Sequence, residues 1–338
     1  METTEVLWLD AEGVREALPP AAAVEAAARA LVEAWRGTAE VPLRLNLRLA
    51  GGGSALVMPA SAAQLAVKVV SVVPGNAERG LPGTQGVVLL LDGATGSPRA
   101  LLDGTVLTGL RTGGAAAAAA RALAPRRRGV LAMIGSGTQA AYQVACTLAV
   151  LELEEVRLWS PHRKHAERLR ARVERLLPPG ALDRLSWRIA SRAEEAVRGA
   201  DLVVCATTAR EPVLEASWLE PDVHVNGVGS FTPEMRELPP ELAARAAAEA
   251  GLWVEKEEAA LAEAGELIAA VEAGLLEPAS LRPLGALLAE ARPGRRARGA
   301  SFFKSVGVAE LDLYAAQAAV EAAEARGLGR RLAWSPGG

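Results

Sequence analysis

The sequence predicts an α/β protein in two parts, and three observations carry that expectation. Between residues 41 and 104, short β-prone runs follow one another with only tight, glycine-containing connections between them. From Gly129 onward the pattern changes, and apolar runs alternate with helical stretches. Apolar residues make up 50% of the 338 positions, enough to supply a core for each part.

Residues 11 to 36 read as helix interrupted at Pro19-Pro20, where a missing N–H and a fixed ring break the pattern. The runs VPLRLNLRL, SALVMP, AVKVVSVV, GVVLLLD and SPRALLDG then read as strands. Connections as short as GGGS and DGATGSP allow only antiparallel neighbours, because a parallel crossover needs a dozen or so residues. Asp103 is placed to cap a helix from about Thr105 to Leu123. Next come GVLAMIG, EEVRLWS, LSWRIA, DLVVCAT and DVHVNGVGS, most of them separated by helices, which reads as a parallel sheet covered on both faces. A last strand, ASFFKSVG, precedes the helix VAELDLYAAQAAVEAAEARG. The apolar stripe of that helix needs a partner, either the first part's sheet or a second subunit.

Composition narrows the function. Net charge is −3, so nothing electrostatic favours nucleic acid. Of 37 basic residues only Lys68, Lys164, Lys256 and Lys304 are lysines. Cys146 and Cys205 lie in apolar runs without a CxxC, and the three histidines lack ligand spacing, so no metal is expected and a reducing cytoplasm is. No basic leader and no long uncharged apolar run is present, so no membrane association is expected.

The segment MIGSGTQA supplies the clearest chemistry. Gly135, Gly137 and Ala140 follow a strand and open a helix, the spacing with which a Rossmann unit turns tightly, admits a pyrophosphate and packs helix on strand. Ser136, Thr138 and Gln139 in the same turn, and Thr207 and Gly229 after two later strands, are assigned to the cofactor with them. The next strand ends at Ser160, 25 residues after Gly135, where an NAD enzyme usually carries an acid for the ribose diol. Here Ser160 is followed by His162, Arg163 and Lys164, which suit a 2′-phosphate; NADP is therefore favoured, with NAD as the alternative. A solvated basic helix start remains the competing reading.

Two further features concern substrate. In AVKVVSVV both strand faces are apolar apart from Lys68, and a buried ammonium must be paired, neutral or used. In DGTVLTGLRTGG, Arg111 and Thr112 precede two helix-interior glycines, Gly113 and Gly114, each costing about 1 kcal/mol against alanine. Either a ligand or another backbone therefore comes close, and Arg111 is placed to hold an anion.

Together VMP, KVVSVVPGN, LLLDGATGSPRALLDGTVLTGLRT, IGSGTQA, HVNGVGS with its following P and REL, and FFKSVGVAELDLYAA resemble the ornithine cyclodeaminase and mu-crystallin family over nearly the whole chain. The resemblance implies a homodimer in which residues 1–115 and 307–338 form an α+β substrate and dimerisation domain, beside a Rossmann domain of residues 116–306. It implies that Arg44, Lys68 and Arg111 face a small amino or imino acid, with Thr112 on the cofactor. Cyclodeaminases of the family carry an aspartate where this chain has Phe231 and a glutamate where it has Leu56, and neither replacement can accept a proton. The expectation is an NAD(P)-dependent imino-acid reductase or amino-acid dehydrogenase, of the ketimine reductase type, working by hydride transfer at a C=N carbon. The alternatives are ornithine cyclodeamination with bound NAD, in which Glu234 would stand in as the acid, and a non-catalytic dinucleotide-binding protein. Reductases of this type have an arginine where this chain has Pro161, which moves the 2′-phosphate contact to Arg163 or Lys164. The role of Lys304 is left open.

Overall fold

A computed structural model describes residues 4–290 and 298–334, and among these fifteen strands form two sheets. The first holds β1 (Thr4–Leu9), β2 (Leu45–Arg48), β3 (Ser54–Ser61), β4 (Gln64–Val72), β5 (Thr84–Asp92), β6 (Pro98–Asp103) and β15 (Arg330–Trp334). Its order is β15-β1-β6-β5-β4-β3-β2. From β2 to β6 every neighbour is antiparallel, as the short connections require. The second holds β7 (Arg128–Ile134), β8 (Glu152–Trp159), β9 (Ser186–Ile189), β10 (Leu202–Cys205), β11 (Val223–Gly227), β12 (Leu252–Val254), β13 (Leu281–Pro283) and β14 (Ala300–Lys304). It runs β13-β12-β14-β11-β10-β7-β8-β9, all parallel.

The N-terminal helical region is split at the prolines into Ala11–Ala17 and Pro20–Arg36. Asp103 caps the Gly104–Leu123 helix, its carboxylate accepting from the Val106 N–H at 2.7 Å. The domain boundary drawn at residue 115 falls inside this one continuous helix. Gly113 and Gly114 answer to backbone rather than to ligand: a Cβ on Gly113 would stand 2.7 Å from the Tyr142 carbonyl, and one on Gly114 2.4 Å from that of Ala23. The helix is thus wedged between Pro20–Arg36 and Thr138–Leu148. Four strands went unforeseen, β1, β12, β13 and β15. β1 pairs only with β6 and β15, neither near it in sequence, and β12 and β13 are three residues each.

Strand alternation sorts the first sheet cleanly. Ala66, Lys68 and Val70 of β4 are buried, with Met58, Val88 and Leu90 beside them. The Ala309–Arg326 helix covers that face, packing on β3, β4 and β5 and on the Pro20–Arg36 helix. Of the two partners the sequence offered for its apolar stripe, the first sheet is the one that packs on it within the chain. Among the described residues no helix covers the opposite face in this way. Leu45, Val57, Val69 and Val87 stand in one row across four strands, with Val69 39% and Val87 38% exposed.

Candidate active site

A cavity of about 310 Å³ opens between the two sheets. Lys68 reaches it from β4, Arg111 and Thr112 from the Gly104–Leu123 helix, and Arg44 from the segment before β2. Gly137, Thr138 and Gln139 enter from the glycine-rich turn, and Thr207, Gly229 and Phe231 from the loops after β10 and β11. Arg44 and Phe231, 187 positions apart, are thus brought to one cavity by the fold. Gly135, Ser136, Ser160, His162, Arg163 and Lys164 lie outside this cavity, at the ends of β7 and β8.

The turn after β7 fits a dinucleotide. Gly135 has φ +104°, a conformation that side chains rarely adopt, and lies against the Ala206 carbonyl. Gly137 caps the Thr138–Leu148 helix without any side-chain bond to its first amides, and a Cβ there would meet nothing within 4 Å. Open space in front of an uncapped helix N-terminus is what an anionic pyrophosphate requires. Arg172, which the sequence reading missed, braces the turn from the other side, donating to the carbonyls of Ser136 (3.1 Å), Gly137 (2.9 Å) and Thr138 (3.0 Å). Ser136 Oγ bonds Ser160 Oγ at 2.8 Å, tying β7 to β8. Arg163 is exposed and paired with Glu167 at 3.3 Å.

Lys68 is 1% exposed, and its Nζ lies 2.6 Å from Oδ2 of Asp312, itself 1% exposed on the Ala309–Arg326 helix. Oδ1 of the same carboxylate accepts from Arg111 Nε at 3.1 Å. Lys68 is thus paired with an internal acid, one of its two readings, and also lines the cavity. Burial, then repulsion from Arg111, pushes the Lys68 pKa down to about 8 against the pull of Asp312. Gly307 leaves room for the guanidinium: at φ +82°, a Cβ there would sit 2.7 Å from Arg111 Nη1. Arg44 donates to Glu263 Oε1 at 2.7 Å and to the Val306 carbonyl at 3.3 Å.

Among the described residues no carboxylate lines this cavity; Leu56 and Phe231 do. Glu234 is exposed and lines, with Glu263, an adjoining hollow that shares Arg44, Leu56 and Phe231 with this cavity. Buried acids act behind the walls. Glu237, its pKa raised chiefly by burial, accepts from Thr207 N (2.8 Å), Thr207 Oγ1 (3.0 Å) and Gly229 N (2.6 Å), fixing two wall loops. Glu255 accepts from Ser305 Oγ (2.7 Å) and Gly307 N (2.7 Å), fixing a third. Lys304 is fully buried and outside the cavity; it donates to Ser230 O at 2.7 Å and pairs with Glu266 at 3.0 Å, bracing the strand end that carries Phe231. Among the described residues no cluster of His, Cys, Asp or Glu is arranged to hold a metal, and no helix is long and apolar enough to cross a membrane.

The ornithine cyclodeaminase/mu-crystallin family model matches residues 5–327. The chain is 36% identical to Delta(1)-pyrroline-2-carboxylate reductase of Bacillus cereus (strain ZK / E33L) over 312 residues, 90% of this chain and 93% of that protein. Among solved structures it is similar to Delta(1)-pyrroline-2-carboxylate reductase of Thermococcus litoralis in complex with NADH and L-proline. That likeness has a TM-score of 0.88 and 31% identity, over 97% of this chain and 100% of the other. It is also similar to an archaeal alanine dehydrogenase dimer with bound NAD, with a TM-score of 0.85 and 30% identity, over 97% and 99% of the two chains. With the family model running through β1, the glycine-rich turn, the cavity and the helix that carries Asp312, the chain belongs to the ornithine cyclodeaminase/mu-crystallin family.

Proposed function

We propose that the chain is an NAD(P)-dependent reductase of small cyclic imino acids, or an amino-acid dehydrogenase of the same type. One observation carries the reading: a cavity with Lys68, Arg44 and Arg111 on its walls, an uncapped glycine-rich turn at its edge and, among the described residues, no carboxylate lining it. Three cations meet two directly paired acids, Asp312 and Glu263, so one positive charge remains for a substrate carboxylate. A nicotinamide bound beside Thr112 would supply the hydride to the imine carbon. Lys68 gives a proton to the imine nitrogen as that carbon is reduced, so that C=N becomes CH–NH; in the oxidative direction the neutral amine takes the proton back. The free donors of Arg111 and Arg44 hold the carboxylate. Leu56, Met58, Val70 and Phe231 pack on the ring and keep water out.

Residues 1–115 with 307–338 act as substrate and dimerisation domain and residues 116–306 as dinucleotide domain, in a homodimer joined through the outer face of the first sheet. The row Leu45, Val57, Val69 and Val87 is the apolar surface a second copy would cover. NADPH is the preferred cofactor in this reading, because Ser160 and not an acid ends β8, with Arg163 and Lys164 just beyond. The two relatives described hold NADH and NAD, so both forms belong in the assay. The free, buried Cys146 and Cys205 suit a reducing cytoplasm. The test is incubation of purified protein with NADPH or NADH and a panel of cyclic imino acids, followed by nicotinamide absorbance. Saturable consumption is expected. No consumption with any of them, or ornithine turned to proline and ammonia without net cofactor change, overturns the proposal.

A further inference from the structure

We propose that Asp312 is a positioning residue for this reaction, holding the Lys68 ammonium at the cavity wall with a carboxylate that it shares with Arg111. The inference rests on the reductase reading for its chemistry, but its geometry stands alone. One carboxylate, 1% exposed, touches both cations, Oδ2 at 2.6 Å from Lys68 Nζ and Oδ1 at 3.1 Å from Arg111 Nε. The elements packed around Lys68 bring to it Arg111 from the Gly104–Leu123 helix, Arg44 from the segment before β2 and Asp312 from the Ala309–Arg326 helix. Glu310 of that last helix pairs instead with Lys256, and Glu255 is occupied by Ser305 and by the amides of Val306 and Gly307. Asp312 is therefore the acid in contact with Lys68, and every other charge named in that shell is cationic or engaged elsewhere.

The arrangement fits an acid that must hold a proton before hydride transfer and lose it during the step. Arg111 remains the partner of Asp312 after Lys68 has given up the proton. With the Lys68 pKa at about 8, the ammonium predominates at neutral pH and the amine is within reach. Without Asp312, desolvation and two neighbouring guanidiniums all press the same way, toward the neutral amine.

Lysine labelled with ¹³C at Cε provides a readout that needs no turnover. The chain has only four lysines, Lys68, Lys164, Lys256 and Lys304, so the spectrum holds four lines, assigned by single Lys→Arg changes. In the unmodified protein the Lys68 line should titrate near pH 8. In Asp312→Asn its midpoint should fall by at least about one pH unit, and the alkaline limb of kcat/KM for imine reduction should move with it. On that alkaline limb, above both midpoints, the displacement costs about tenfold in protonated enzyme per unit, with NAD(P)H affinity unchanged. A Lys68 midpoint unmoved in Asp312→Asn overturns the proposal, even if the variant is less stable. Should Asp312→Asn not fold, Arg111→Gln gives the converse sign: with Asp312 left to Lys68 alone, the midpoint must rise, and a midpoint that stays or falls overturns the proposal. If the lines move as stated while no imino acid consumes cofactor, the coupling of Asp312 to Lys68 stands and the reductase reading falls.

Discussion

Replacing Lys68 by methionine separates what the ammonium does for the reaction from what it costs the fold. Methionine keeps most of the length of the side chain in a site that is 1% exposed, so packing against Met58 and Val88 changes little. Only the charge and its donors go. The folded protein holds the Lys68 pKa at about 8, against 10.5 for a free lysine, a gap of about 2.5 units. At about 1.4 kcal/mol per unit, the buried ammonium costs the native state about 3 kcal/mol at neutral pH. Methionine removes that cost, in which the attraction of Asp312 is already counted, and Asp312 keeps Arg111 as a partner. Unfolding free energy at neutral pH should therefore rise, by up to about 3 kcal/mol. Activity should not be spared. Losing the proton donor and one partner of a desolvated charge contact is worth about 2 to 5 kcal/mol, a fall of about 30-fold to a few thousandfold in kcat/KM for imine reduction. Steady-state kinetics with cofactor titration by fluorescence reads both quantities. A loss of less than about threefold, or a loss that appears equally in cofactor affinity, would refute the role given to Lys68.

The same shift makes stability depend on pH. Between about pH 8 and 10.5 the unfolded chain keeps a proton that the folded chain has released, so the Lys68 contribution to stability rises with pH across that window and is flat below it. Denaturant melts of the parent minus those of Lys68→Met should isolate a rise of about 3 kcal/mol, and a difference that does not change with pH would contradict it. Arg163→Ala should weaken NADPH binding more than NADH binding by calorimetry; equal affinities for the two in the unmodified protein would remove the argument from Ser160. Sedimentation of the parent at micromolar concentration should show dimer and Val69→Lys monomer, whereas a parent that is a stable monomer would leave the exposed row on the first sheet unexplained. Phe231→Asp should give no proline from ornithine above background, because Leu56 still lines the cavity where a second acid is wanted; measurable proline would reopen the cyclodeaminase reading.

What the sequence could and could not disclose follows from how local each feature is. The turn at Gly135 and Gly137, the cap at Asp103 and the break at Pro19-Pro20 are settled within a few residues, and all three are where the pattern put them. Alternation along β4 assigned Lys68 to a face, since strand period alone does that. It could not say what stands opposite. Asp312 is 244 positions away on a helix whose stripe could have faced another subunit, and nothing in VAELDLYAA separates an acid that serves a lysine from one that faces water. Arg44 meets Glu263 219 positions on, by the same kind of accident of tertiary fold. The double glycine at 113 and 114 shows the intermediate case: composition demanded a close approach, and only the packed helices show that two backbones, not a ligand, make it. Lys304 differs from Lys68 in no local respect, each being a single lysine in an apolar strand, yet one lines the cavity and the other is sealed behind Ser230 and Glu266. The distinction between a lysine that can meet a substrate and one that holds a loop in place therefore resides in the acids that pair with them. Asp312 leaves Lys68 at an open wall, and Glu266 closes Lys304 in.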